Sequence, residues 1–339
     1  MIRNAATFSM TLLLLATYHD LAAGQAVAPS ILTIRVENQV EYVQDASDPS
    51  KYGSIPDITT PVGSQNNFGV VTLIGDIVSV NGQPAKGMYV GRTRALLLRP
   101  SPSPGQAIAD APRTAIREVI FEILKSDGTP IGSIVGLGFS GGAPPPGAPL
   151  AQRGGSWAIV GGTGAFLGAR GEFGGAQTPG SGNIARMASM SEDPANRRLN
   201  GGGTQPFVLT VIPLSAPQIT AIFGVPAVSH SEDSSLVTVS TPAAPGEVLS
   251  LRATGLGPTV PGIDPGQIFP PSPPAVVNSP VEVKVNGKSA EVLSAVGVPG
   301  TLNGYEVRFR VPADTPRGPA KIQLSAAWIW GETVSIAIQ

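Results

Sequence analysis

The sequence predicts an all-β protein of two domains. Short runs rich in β-branched residues alternate with turn signals along nearly the whole chain. No segment sustains a 3.6-residue apolar period bounded by caps, so helices are expected to be minor. Gly (42) and Pro (34) punctuate 339 residues of which 42% are hydrophobic and 13% charged, the profile of a folded, turn-rich chain with a sparsely charged surface. A chain of that length has room for two cores, since domains run to ~100–200 residues.

The elements follow in order. Residues 1–26, MIRNAATFSMTLLLLATYHDLAAGQA, carry Arg3 near their head, run apolar through Leu15 and present small residues at Ala22, Gly24 and Ala26, the pattern of a secretory signal peptide. The apolar run from Ala5 to Ala16 is too short for a membrane anchor, which takes ~20 residues. Strands are expected at 31–43, 68–80, 87–99, 115–125, 130–139, 155–161, 165–174 and 205–213. Loops rich in Pro, Gly and Ser separate them, notably RPSPSPGQ, GGAPPPGAP and the stretch from Gln177 to Thr204. A junction at PLSAPQITAIFGVPAVSHSEDSS divides the chain into domains at 27–214 and 215–339. Beyond it, VEVKVNGKSAEVL alternates around Asn286-Gly287, a hairpin turn whose central residues tolerate positive φ. YEVRFRVP and TVSIAIQ alternate as well. About seven short strands, with turn signals every ~8–12 residues, read as an immunoglobulin-like β-sandwich. Lacking cysteine, that sandwich rests on Val, Leu and Ile packing with Trp328 or Trp330.

Composition removes whole classes of chemistry. Zero cysteines exclude disulfides, thiol nucleophiles and Cys-ligated zinc or iron–sulfur clusters. Two histidines, one of them inside the signal segment, leave only His230 for a Ser-His-Asp triad and exclude a multi-His metal site. A lone histidine is more often structural. A net charge of −1 supplies no field for nucleic acid. DASD at 45–48 and SED at 191–193 fall short of the ~6–8 oxygens of a calcium loop, so neither metal nor cofactor is expected. SWAIVGGTGAFLGARGEFGG, Ser156 to Gly175, invites comparison with a dinucleotide fingerprint, but Leu167 stands where the third glycine belongs and no helical stripe follows. What remains is strand, tight glycine turn, strand.

WAIVGGTGAFLGARG resembles the signature corner of plant dirigent proteins, whose barrel is also that of the allene oxide cyclases. FGVVTLIGDIVSV, YVGRTRALLL and SDGTPIGSIVGLG resemble three further stretches of that family, in the same order. The resemblance implies an eight-stranded antiparallel β-barrel, which the strand count above matches, with an interior wide enough for side chains or one small ligand. It also implies a function: a small apolar or phenolic molecule is held and steered through coupling or cyclisation, by positioning and without a cofactor. On that reading Asp76 accepts a phenol proton and Arg170 stabilises developing oxyanion charge. Arg92, Tyr89, Phe166 and Glu172 would contact the ligand. An ordinary salt bridge or rim charge is the competing account of Asp76 and Arg170. Two departures stand out: Gly75 replaces the first member of the family's acidic pair, and Glu172 occupies a position where an aromatic residue is usual. Glu37 and Glu41 lie near the cyclase acid of the first strand but outside its pattern. The same resemblance implies a homotrimer.

LRATGLGPTVPGIDPGQ, NSPVEVKVNGKSAEVL and GYEVRFRVP resemble a C-terminal domain recurrent in secreted acidobacterial proteins, over nearly all of residues 217–339. That resemblance implies an exported bacterial protein, secreted or held in the cell envelope, whose second domain serves surface association or presentation, or binds a partner through its loops. The alternative expectation is a non-catalytic structural or adhesive protein with a packed barrel, since fold alone does not carry function.

Overall fold

The computed structural model describes residues 28–43, 70–95, 115–140, 152–176, 185–189, 192–199, 202–264 and 266–339. The signal peptide expected at 1–26 and the 45–48 motif lie outside these residues. Among the described residues no helix is long and apolar enough to cross a membrane.

The first unit consists of β1 (Ser30–Val43), β2 (Val70–Val80), β3 (Gln83–Ala95), β4 (Ala115–Lys125), β5 (Pro130–Ser140), β6 (Gln152–Gly162), β7 (Arg170–Ala176), β8 (Arg186–Ser189) and β9 (Gly203–Ile212). Eight of them close into an antiparallel barrel: neighbours run β2-β3-β4-β5-β6-β7-β9-β1, and the β1–β2 pairing seals the ring. Closure covers the strand edges, apart from the last residues of β1 beyond the reach of β9. β8 stands outside the ring and corrects the reading of Gln177 to Thr204 as loop. It pairs in parallel with Val40–Val43 of β1, the stretch of that edge which β9 does not cover.

β1 carries a bulge between Glu37 and Val40, with Asn38 at φ 51°. A bulge inserts one residue and so reverses which face each later side chain takes. Leu32, Ile34 and Val36 therefore face the lumen, while Val40 and Tyr42 turn outward. There Glu192, Arg197 and Arg186 surround Tyr42, and both side chains are buried.

The glycine-rich stretch is the corner between β6 and β7. The expected strand at 165–174 begins only at Arg170, because Gly164–Phe166 forms a 3-10 turn. Thr163 fastens the corner to β5: its amide donates to the Ser133 carbonyl (2.9 Å) and its hydroxyl accepts from the Ser133 amide (3.1 Å). A Cβ on Gly164, which sits at φ 59°, would lie 2.3 Å from the Ile131 carbonyl oxygen, and one on Gly162 2.2 Å from that of Phe166. The glycines thus allow backbone to approach backbone, which is packing chemistry rather than phosphate binding.

The second unit holds β10 (Gln218–Ile219), β11 (Ala221–Ile222), β12 (Val225–Pro226), β13 (Val228–His230), β14 (Val248–Thr254), β15 (Thr259–Val260), β16 (Val276–Val277), β17 (Val281–Val285), β18 (Lys288–Gly297), β19 (Tyr305–Arg310), β20 (Gly318–Ala326) and β21 (Ile329–Ile338). Its main path is β10-β14-β19-β18-β17-β20-β21. Alternate residues supply the core, among them Leu249, Leu251, Val307, Phe309, Ile322 and Leu324. Asn286 and Gly287 form the expected turn, with φ of 51° and 80°, and Val285 pairs with Lys288 across it.

His230 is structural here. Its Nδ1 lies 2.5 Å from Glu247 Oε1 and its Nε2 3.2 Å from the Thr241 carbonyl. Both partners are acceptors, so the ring satisfies both contacts only as an imidazolium. Burial works against that charge, but the Glu247 carboxylate and the Thr241 carbonyl outweigh it and raise the pKa above its ordinary value. A raised folded-state pKa gives stability that is complete below the unfolded value of about 6.5 and is lost as pH rises through the folded value. The melting temperature of the wild type should therefore fall as pH rises from about 6 through neutrality. His230→Gln should start lower and lose most of that slope, and an unchanged slope in the variant would contradict the assignment.

The two units share a core at one end of the barrel. Ala327 and Trp328, at φ 50° and 62°, make the turn between β20 and β21, and with Ile329 they belong to the barrel's hydrophobic cluster. Trp328 Nε1 donates to Gln83 Oε1 (2.7 Å), and the Gln83 amide donates in turn to Glu282. Asn278 donates to the Pro130 carbonyl (2.6 Å), and the Trp330 amide donates to Ser30 Oγ (3.3 Å). Because the strands alternate in direction, the short β2–β3, β4–β5 and β6–β7 turns all lie at this end. At the opposite end β1, β3, β5 and β7 finish and β2, β4 and β6 begin.

Candidate functional site

The structure does not bring Asp76 and Arg170 together. On β2 the inward side chains are Leu73 and Ile77, both buried, so Asp76 between them points to the outside of the barrel. There it accepts from Arg198 Nε (2.9 Å) and Nη2 (2.8 Å), from Asn38 (2.9 Å) and from Arg197. Arg170, exposed at the start of β7, donates to the carbonyls of Val160 and Ala169 (2.9 Å each) and ties down the glycine corner. In the barrel wall β1 and β9 stand between their strands. The lumen-facing acid–arginine pair expected at Asp76 and Arg170 is thus corrected to two separate structural contacts. Strand parity is the reason.

Three of the four expected ligand contacts are also placed elsewhere. Arg92 is exposed on the outer face of β3, and Glu172 lies half-buried on the outer face of β7, beside Ala158 and Thr210. Phe166 is buried in the corner, at the end whose core includes Trp328 of the second unit. Tyr89 alone points into the lumen, fully buried.

Tyr89 belongs to a row of aromatic rings across the interior. Its ring centroid is 4.7 Å from that of Phe207 and 5.4 Å from that of Phe121; Phe121 meets Phe173 at 5.5 Å, and Phe173 stacks on Trp157 at 5.4 Å. Gly136 makes room for this row, since a Cβ there would lie 2.1 Å from the Phe173 ring. Toward the end where β3 finishes and β4 begins, the same inward face continues with Gly91 and Thr93 on β3, Arg117 on β4 and Gly138 on β5. Glu41 on β1 faces inward as well, because the Asn38 bulge reverses the parity.

Polar groups in this interior are left unmatched. Tyr89 OH, Trp157 Nε1 and Gln39 Oε1 are buried and have no hydrogen-bond partner among the described residues. The Tyr89 hydroxyl leans along its strand toward Gly91, where a Cβ would lie 3.0 Å from it. Burial raises its pKa, opposed by the nearby Arg117 charge and reinforced by Glu41. The phenol therefore stays protonated at neutral pH and offers an O–H. Arg117 Nε donates to Thr93 Oγ1 (3.1 Å), and its guanidinium lies 5.2 Å from the Trp157 ring centre. Among the described residues no cluster of His, Asp and Glu could hold a metal ion.

The sequence reading missed Gln39, Glu41, Thr93, Arg117 and Trp157 as lumen residues. For Arg117 a signal was present: Arg117, Val119, Phe121 and Ile123 share one strand face, so a cation sits in line with three core side chains. Comparison with protein families, curated proteins and solved structures gave no match.

Proposed function

We propose that the barrel binds a small apolar or phenolic molecule in its lumen, toward the end where β3 finishes and β4 begins, and steers its coupling or cyclisation by holding one pose without a cofactor. In this reading the second unit is an immunoglobulin-like sandwich that closes the other end and associates the exported protein with a bacterial cell surface. The observation that carries the proposal is the trio of buried, unpartnered groups at Gln39, Tyr89 and Trp157. Each such group costs ~1–3 kcal/mol when left unsatisfied, and a bound molecule with matching donors and acceptors would relieve that cost. The flanking rings would fix a flat body, and restricting its pose is the kind of contribution an entropy trap makes. The resemblance to dirigent proteins and allene oxide cyclases supports the same chemistry. A second reading, a structural envelope protein, is favoured by the aromatic row that fills the barrel's middle.

Tyr89→Phe separates the two. Removing an unpaired buried hydroxyl should raise the stability of the empty protein, by about 1 kcal/mol in chemical denaturation. Under the binding reading the same change should weaken the copurified ligand at least severalfold. A variant that is more stable and retains the ligand unchanged would remove Tyr89 from the site.

A further inference from the structure

We infer that the molecule held in the lumen carries a single carboxylate, received by Arg117. This deepens the ligand-binding reading above and rests on it. Arg117 is half-buried and faces inward, and no carboxylate among the described residues pairs with it. A charge withdrawn from water is normally matched by a partner. Its Nε is committed to Thr93, while among the described residues no hydrogen bond or ion pair engages its terminal amino groups. The planar fork of those groups suits a two-oxygen anion. The Trp157 ring 5.2 Å away helps set its orientation. Next to this cation the unpartnered groups include two donors, the Trp157 indole N–H and the Tyr89 O–H. The arrangement is thus rich in donors and positively charged where the guanidinium sits.

Glu41 limits the charge to one. It pairs with Leu73, and Leu73 with Gly91, two residues deeper along β3 than Thr93, the partner of Arg117. A second carboxylate reaching that depth would face Glu41, whereas a hydroxyl there could donate to it. The ligand class is therefore a monocarboxylic acid with a flat or linear apolar body.

The test is calorimetric titration of the full chain with two matched pairs: 4-hydroxycinnamate against its methyl ester, and octanoate against octanamide. At least one acid should bind about tenfold or more tightly than its neutral analogue, the scale of a charge-assisted contact. That preference should shrink with added NaCl, disappear in Arg117→Met and persist in part in Arg117→Lys. The salt dependence is read on the wild type, so the test survives a poorly folded variant. Equal binding of acid and neutral analogue would overturn the carboxylate inference while leaving lumen binding intact. If none of the four binds, the inference is likewise overturned, and the copurified molecule decides separately whether the lumen binds anything.

Discussion

Replacing Trp328 by alanine is expected to cost about 3–5 kcal/mol of barrel stability, the scale for a large buried aromatic. The side chain is 4% exposed and sits in the barrel's own hydrophobic cluster although it belongs to the second unit. Its turn has positive φ at two non-glycine residues, a conformation costing roughly 1–2 kcal/mol at each. Such strain persists where surrounding contacts over-determine it. Here those contacts are the buried indole and its bond to Gln83, so the truncation also leaves the Gln83 carbonyl oxygen without that donor. Urea denaturation of the full chain checks this: the wild type should unfold in one transition, whereas Trp328→Ala should unfold its barrel first. Trp330→Ala is the control. That ring is only half-buried, with Lys284 Nζ 4.3 Å from its centre, and a cation–π contact of this kind is worth ~0.5–1 kcal/mol. Equal losses in the two variants would contradict the shared core.

Asp76→Asn should be the next most damaging change, at about 2–3 kcal/mol. One carboxylate receives Arg197, Arg198 and Asn38, and so fastens the chain after β8 onto the bulge of β1. Removing one partner of a buried pair costs ~3–5 kcal/mol, and the partial exposure of Arg198 reduces that figure here. The exposed Lys288–Asp314 pair, by contrast, should give no measurable change on Asp314→Asn. Burial alone would raise the Asp76 pKa, but the hydrogen bonds from Arg198 and Asn38 and the two guanidinium charges outweigh it and hold it below the usual range. The stability it contributes is complete above the unfolded carboxyl value of about 3.9 and disappears as pH falls through the lower folded value. Acid unfolding of the variant should lack that component. If Asp76→Asn abolished ligand binding while leaving stability unchanged, the clasp assignment would fail.

β4 lies where the alternation of Ala115 to Lys125 places it, and the Asn286-Gly287 hairpin follows from residues that accept positive φ. The glycine corner was legible as a turn, although its glycines answer to Ile131 and Phe166 carbonyls that only the folded chain brings near. The site was harder to read because a barrel strand shows which residues share a face, not which face is inside. The face holding Met88, Val90 and Arg92 is the outer one, and Tyr89, Gly91 and Thr93 form the inner one. The Asn38 bulge was invisible to a period-two reading, and it is what turns Glu41 inward and Tyr42 outward. β8 escaped notice because four residues in a stretch rich in Gly, Ser and Asn carry almost no strand signal. Its support comes from the long-range contacts of Arg197 and Arg198 with Asp76, which no local pattern encodes.

The claim that the lumen is a binding site is tested most directly by native mass spectrometry of the full chain purified from its own host without a denaturing step, beside the same protein after unfolding and refolding. The expected result is a small molecule of defined mass on the first sample, absent from the second and depleted in Tyr89→Phe. A bare polypeptide mass in every sample, with no uptake from a panel of phenolic and fatty-acid-derived compounds, would contradict the binding reading and leave the barrel as a structural element.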